Sequence, residues 1–155
     1  MLKLYTDAST KGNPGPSGAG VVVIGENIYD QLAFPLTNLL DNHEAEFEAL
    51  ICGLTYLKEQ NMQVGTLMIY TDSQIVARAV ERNYAKKANY QLYLSQIRSL
   101  LAPFELTFIN WVAENQNKGA DHMARQALQE RLKSIEQKSS IDWIFMNKQY
   151  TKTKE

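Results

Sequence analysis

Apolar and polar residues alternate from the start of the chain, Leu2, Leu4 and Thr6 against Lys3, Tyr5 and Asp7. A two-residue period predicts a strand. Gly12-Asn13-Pro14-Gly15-Pro16 then breaks it, because proline has no N–H for a ladder and glycine supplies turn geometry. The strand is therefore expected to stop on a carboxylate, Asp7. The β-rich run Gly18 to Ile24, a turn at Gly25-Glu26-Asn27 and a return from Ile28 to Leu36 predict a hairpin. Thr37 to Leu40 reads as a connection.

From Asp41 the period lengthens. Phe47, Leu50, Ile51, Leu54 and Leu57 follow the i, i+3, i+4, i+7 rule, which predicts a helix to about Gln60. Asp41 with Glu44 has capping-box spacing, and Asn42 is the alternative cap. Thr66 to Thr71 is almost continuously apolar and predicts a strand covered on both faces, ending on Asp72. Ser73 then caps a short helix with the stripe Ile75, Val76, Ala79 and Val80. Tyr84 to Pro103 holds another helical piece, with Leu92, Leu94, Ile97, Leu100 and Leu101 as core candidates. Leu106 to Val112 is a fifth strand. A polar loop, Glu114 to Gly119, leads to a last helix with Ala120, Met123, Ala124, Ala127, Leu128 and Ile135 at helical spacing and Asp121 in its first turn. The chain turns polar and basic from about Gln137. The apolar run Trp143 to Met146 interrupts it and is expected to pack on the domain, while Thr151 to Glu155 is expected to fray. The order β-β-β-α-β-α-α-β-α predicts an α/β protein: a mixed five-stranded sheet, three antiparallel strands then parallel strands, flanked by helices.

Composition narrows the setting. The 155 residues suffice for one domain, and 45% hydrophobic with 21% charged residues fits a globular protein. A single cysteine, Cys52, rules out an internal disulfide and points to a reducing, cytoplasmic location. There is no apolar run of about 18 residues for a membrane span and no apolar core of a secretory signal. A net charge of −1 argues against a protein that works by nonspecific nucleic-acid binding, for which a basic domain is expected. The distribution is less even than the sum. Arg78, Arg82, Lys86, Lys87 and Arg98 share one segment whose single acid is Glu81. That segment is either a solvated helix face or a phosphate-contacting surface.

Four acids hold unusual places: Asp7 and Asp72 at expected strand ends, Glu46 and Asp121 in the first turns of helices. Taken singly, an acid beside a turn is ordinary. Taken together, clustered carboxylates raise one another's pKa, and a divalent cation relieves that repulsion. Hard oxygen ligands suit Mg²⁺ or Mn²⁺, and no Cys or His cluster favours zinc. An open all-carboxylate site points to phosphoryl chemistry, in which two ions activate a water and stabilise the leaving oxygen.

Four stretches then carry a resemblance. They are Asp7-Ala8-Ser9 with Gly12-Asn13-Pro14-Gly15, Asn42-His43-Glu44-Ala45-Glu46-Phe47-Glu48-Ala49-Leu50, Tyr70-Thr71-Asp72-Ser73-Gln74, and Trp111-Val112 with Gln116-Asn117-Lys118-Gly119-Ala120-Asp121 and Ala124-Arg125. In this order, over about residues 1 to 130, the chain resembles a type 1 ribonuclease H of the short-loop bacterial or archaeal kind. The resemblance implies a ribonuclease H-like catalytic domain over residues 1–135, with 136–155 as a C-terminal extension, partly packed or flexible. It implies that Asp7, Glu46, Asp72 and Asp121 are catalytic and metal-binding, with two Mg²⁺ or Mn²⁺ ions bound alongside substrate. It implies hydrolysis of the RNA strand of an RNA/DNA hybrid to 5′-phosphate and 3′-hydroxyl ends by a monomeric enzyme with no membrane partner. Ser9, Asn13 and Asn42, with the basic pair Lys86 and Lys87, are the implied nucleic-acid contacts. Two other readings stay open: a binding or regulatory module of this fold with little turnover, and a nuclease of the same superfold acting on a DNA structure. The pattern also departs from the family's. Ala8 and His43 stand where glycine and asparagine are usual, Glu114 where short-loop relatives often carry arginine, and the loop from Ala113 to Gly119 has no histidine.

Overall fold

In the computed structural model the chain is described as backbone for residues 1–154 and with side chains for residues 1–147. Five strands, β1 (Leu2–Thr10), β2 (Gly15–Gly25), β3 (Ile28–Leu40), β4 (Thr66–Thr71) and β5 (Leu106–Trp111), form one sheet in the order β3-β2-β1-β4-β5. The β1–β2 and β2–β3 pairs are antiparallel, and the β1–β4 and β4–β5 pairs are parallel. The mixed α/β sheet expected from the sequence is therefore the one observed.

The helices are α1 (Asn42–Glu59), α2 (Gln74–Arg82), α3 (Ala88–Leu101) and α4 (Lys118–Lys154), with a 3₁₀ turn at Glu114–Gln116. Asp41 is the cap of α1: its carboxylate accepts from the Glu44 N–H at 2.7 Å, and its own N–H donates to Glu44 Oε1 at 3.1 Å. Ser73 Oγ accepts from the Val76 N–H in the same way at the start of α2. One face of the sheet is covered by α1, whose Phe47, Leu50, Leu54 and Leu57 are fully buried. With Leu4, Val21, Val23, Leu67, Ile69 and, from α3, Leu94 and Ile97, they make the main core. A smaller cluster of Ala19, Leu36, Leu40, Ala45 and Ala49 closes the end of α1 nearest the site.

The other face carries α4, seated on β1, β2 and β3. A β-carbon on Gly20 would overlap the Ala120 carbonyl oxygen and the Ala124 nitrogen, and one on Gly18 would overlap the Leu128 nitrogen. Helix and strand backbones thus meet along a seam of glycine and alanine, with Ala120, Ala124 and Ala127 buried in it. This seam fixes where the first turn of α4 begins.

Several expectations need correction. The first strand does not stop at Asp7 but runs to Thr10, because β2 pairs with it as far as Thr10↔Ser17. Thr37 to Leu40 are not a connection but the end of β3, held by Gly15↔Leu40. β4 is covered on one face only: Leu67, Ile69 and Thr71 are buried while Thr66, Met68 and Tyr70 are half-exposed, since α4 does not reach that side of β4. Leu92 is 72% exposed; α3 turns Tyr90, Leu94 and Ile97 inward instead. Ile75 is also outside the core. The run Trp143 to Met146 does not pack on the domain. Every described residue from Glu136 to Asn147 is exposed, because α4 continues as one helix past the edge of the sheet. Of the end expected to fray, the backbone of Thr151 to Lys154 belongs to α4; Glu155 lies outside the described residues.

Candidate active site

The parallel half of the sheet brings the acids together. β1 and β4 pair from Leu2↔Leu67 to Thr6↔Thr71 and no further, so Asp7 and Asp72 each follow the last paired residue. Tyr5 and Tyr70, also opposite each other, stack with ring centroids 4.6 Å apart. A cross-strand aromatic pair of this kind pins register, and here it does so two residues before the acids. Glu46 comes from the first turns of α1, whose start is fixed by the Asp41–Glu44 box. One carboxylate oxygen each from Asp7, Glu46 and Asp72 lies within 4.8 Å of the others.

The electrostatics follow from that crowding. Burial first, and then the charge of Asp72, push the Asp7 pKa up to about 8; a hydrogen bond with Glu46 and the Ala8 N–H offset part of this. Glu46 is raised well above the ordinary range by burial, then by the charges of Asp7 and Asp72. Its Oε2 is buried with no hydrogen-bond partner. Asp72 is raised by burial, and hydrogen bonds with Asp7 and Asn117 hold it down while Glu114 and Asp121 push it up. A buried carboxylate oxygen without a donor is costly, and three acids that depress one another's ionisation form a site that a cation stabilises. Among the described residues this is a hard-oxygen donor set that fits Mg²⁺ or Mn²⁺.

Asp121 stands apart. It lies in the first turn of α4 but outside the three-acid group. Arg125 holds it, Nη2 to Oδ2 at 3.2 Å and Nε donating to Oδ1 at 3.3 Å. Asn13 and Asn42 meet each other: Asn13 Oδ1 accepts from the Asn42 N–H at 3.1 Å, joining the β1–β2 turn to the start of α1. Ser9 is half-buried opposite Gly18, two residues beyond Asp7. Lys86 and Lys87 are remote from the acids in chain position and line a groove of about 310 Å³ with Arg78, Arg82, Tyr84 and Tyr90; Lys87 Nζ lies 5.1 Å from the centre of the Tyr90 ring. The methyl of Ala8, which stands where the family has glycine, packs on the small cluster of Ala19, Ala45 and Ala49.

Two supporting residues were not singled out by sequence reasoning. Asn117, fully buried, donates from Nδ2 to the Thr6 carbonyl at 2.9 Å, and its own carbonyl accepts from the Asp121 N–H at 3.0 Å. It links β1, one residue before Asp7, to the turn that carries Asp121. Trp111 Nε1 donates to the Asp72 carbonyl at 3.0 Å and steadies the end of β4. Both stood inside the quoted motif, but Asn117 reads as part of a polar loop, and only the tertiary fold shows what its amide reaches.

Comparison with known proteins agrees with this geometry. The family profile described as reverse transcriptase-like matches residues 5–127. A protein of Enterococcus faecalis named as a hydrolase, EbsB, is 47% identical over 131 residues, which cover 83% of this chain and 95% of that protein. The ribonuclease H of Desulforamulus reducens is 38% identical over 86 residues, 56% of this chain; the matched segment spans about half the length of that ribonuclease. Among solved structures, the ribonuclease H1 of Halobacterium salinarum superposes with a TM-score of 0.75 at 25% identity, covering 83% of this chain and 98% of that one. LC11-RNase H1, whose crystal structure contains an RNA/DNA hybrid, has the same fold, with a TM-score of 0.71 at 23% identity, over 85% of this chain and 99% of that one. Fold, acid cluster and relatives define a hydrolase of the ribonuclease H type. The chain belongs to the reverse transcriptase-like family and has the fold of ribonuclease H1.

Proposed function

We propose that this chain is an endonuclease that hydrolyses the RNA strand of RNA/DNA hybrids with Mg²⁺ or Mn²⁺, leaving 5′-phosphate and 3′-hydroxyl ends. The observation that carries the reading is the group of three acids within 4.8 Å, one of them with a buried, unpartnered oxygen. Asp7, Glu46 and Asp72 would hold the ions, with Asp121 on the α4 side. Two ions bound there with substrate supply an activated water and charge stabilisation for the leaving oxygen. The residues themselves orient the substrate. Asp7, flanked by both other acids, is the central ligand. Glu46, close to the N-terminus of α1, is placed to accept from a ribose 2′-hydroxyl, the group that distinguishes RNA from DNA. The joined Asn13 and Asn42, with Ser9, form a polar rim beside the acids for the duplex backbone. The Lys86–Lys87 groove offers positive charge to phosphates farther along it. We assign the catalytic unit to residues 1–135 and the extension to 136–155, and place the protein in the cytoplasm.

The test is cleavage of an end-labelled RNA/DNA hybrid in Mg²⁺ and in Mn²⁺, beside duplex RNA and duplex DNA. Selective cutting of the hybrid, lost in Asp7→Asn and Asp72→Asn, is expected. Intact hybrid under both metals would refute the assignment. Two observations favour a second reading, a hybrid-binding module with little turnover. Arg125 engages Asp121, and Glu114 adds negative charge beside Asp72 where phosphates approach. That reading predicts hybrid binding without cutting.

A further inference from the structure

The last contacts of α4 with its own domain are the Arg131 Nη2 hydrogen bond to the Thr37 carbonyl at 3.1 Å and the half-buried Ile135. Beyond them the described helix continues exposed through Met146, roughly 16 Å at 1.5 Å per residue. On this free stretch Ile141, Trp143, Ile144, Phe145 and Met146 are 66%, 68%, 49%, 62% and 69% exposed. Side chains of these sizes present roughly 600 Å² of apolar surface in under two turns, at or above the largest patch usual on a monomer. An uninterrupted helix has no turn that would bring this stretch back onto the sheet it has left. The family profile ends at residue 127, so the patch also lies outside the part shared with the catalytic fold.

We propose that this stretch of α4 is a self-association surface, and that two copies of the chain pair through it as an antiparallel helix pair. Ile141, Ile144 and Phe145 fall at i, i+3 and i+4 and form the central ridge of the contact. Pairing two such ridges removes on the order of 700 Å² from water, the size of a weak contact that forms and dissolves with concentration. A two-fold arrangement needs only one patch, repeated on each copy. The charges beside the ridge, Lys138 and Asp142, are of opposite sign, so two copies meet without net like-charge repulsion. A lipid surface fits less well. Trp143 and Met146 lie on a different side of the helix from the ridge, and Asp142 interrupts the apolar turn, whereas interfacial helices segregate one apolar face from one charged face. This departs from the monomer expected of the sequence and does not depend on the nuclease reading.

The test uses the full chain. Sedimentation equilibrium or light scattering behind a sizing column, over about 5 to 200 μM, is expected to show a mass that rises to twice that of one chain. The double variant Ile144→Asp, Phe145→Asp is expected to remain monomeric throughout, with association weakened at least about 100-fold. Its circular dichroism and melting temperature at low concentration should match the parent, because neither residue touches the domain. A parent that stays monomeric to about 200 μM overturns the proposal, as does a dimer equally strong in the double variant. A monomeric parent that co-sediments with phosphatidylcholine–phosphatidylglycerol vesicles overturns it in favour of a membrane surface.

Discussion

Asp7 and Asp121 belong to the same set of four acids but are held in opposite ways. Asp7 is buried where β1 loses its parallel neighbour; β2 still pairs with it at Asp7↔Gly20, and the β4 pairing that ends one residue earlier holds the strand from the other side. Its neighbours are other carboxylates, and its pKa lies far above the ordinary value. Asp121 sits on a helix, its side chain 37% exposed, and its neighbour is an arginine. Its position depends on how closely α4 lies on Gly18 and Gly20. The first acid is placed by hydrogen-bonded register, the other by van der Waals contact. A cluster that repels itself needs the stiffer kind of support, since strands cannot slide without breaking a ladder, whereas a helix on a smooth seam can shift by a fraction of an ångström.

The largest effect that separates the two is catalytic. Asp7→Asn is expected to lower hybrid cleavage by about 1,000-fold or more, the order expected if the central carboxylate of a metal-holding group is lost. Asp121→Asn is expected to lower it by about 10- to 100-fold, as for a supporting ligand. Initial rates under saturating Mn²⁺ measure both, and equal losses would erase the distinction.

Next in size is the seam. Gly20→Val must push α4 away from β2, a destabilisation of about 1–3 kcal/mol or more that urea melts would report. Cleavage should fall together with stability, because Asp121 moves with the helix. A variant as stable as the parent would show that helix and strand do not meet as described.

The third prediction concerns pH. Folded Asp7 holds its proton up to about 8, against an ordinary value of 3.8. Between those values the folded chain binds more protons than the unfolded one, so stability is highest at the low end and falls as pH rises toward 8. Melting temperatures of the metal-free chain between pH 5 and 8 should therefore decline. Asp7→Asn should flatten the slope, and Mn²⁺ should raise the high-pH end most. A metal-free chain whose melting temperature rises over this range would contradict the buried cluster.

The smallest expected effect is at Arg125. Arg125→Ala frees Asp121 from an exposed ion pair of about 0.2–1 kcal/mol. Calorimetric Mn²⁺ affinity should change about two- to four-fold, and no change would mean that Asp121 takes no part in metal binding.

Most of this architecture was legible in the sequence where local chemistry decides it. The Asp41–Glu44 box, the Ser73 cap and the stripe of α1 are near-neighbour patterns, and they stand as read. Asp72 was legible because it follows a change of period, Glu46 and Asp121 because they fall in the first turns of periodic helices, and Asp7 because it precedes the glycine–proline turn. What escaped depended on partners distant in the chain. β1 outruns Asp7 because β2 keeps pairing with it, and β3 extends to Leu40 for the same reason. Leu92 read as core because leucine is apolar, yet α3 presents Tyr90 instead, whose hydroxyl disguised its burial. Asn117 read as part of a polar loop, while its amide reaches the Thr6 carbonyl 111 residues away. The exposed tail could not be foreseen from an apolar run alone, since it follows from α4 continuing unbroken past the edge of the sheet.

The glycine seam gives one helix two different tolerances to sequence change. Along its first turns any bulk added at residues 18 or 20, or at the alanines facing them, displaces the helix axis, and no neighbouring side chain can shrink to compensate. From Glu136 to Met146 every side chain is exposed, so substitutions there are invisible to the fold. In a saturation library scored for folding, α4 would show a sharp step from intolerant to permissive within a single uninterrupted helix, and insertions or fusions placed after that step would leave the acids undisturbed.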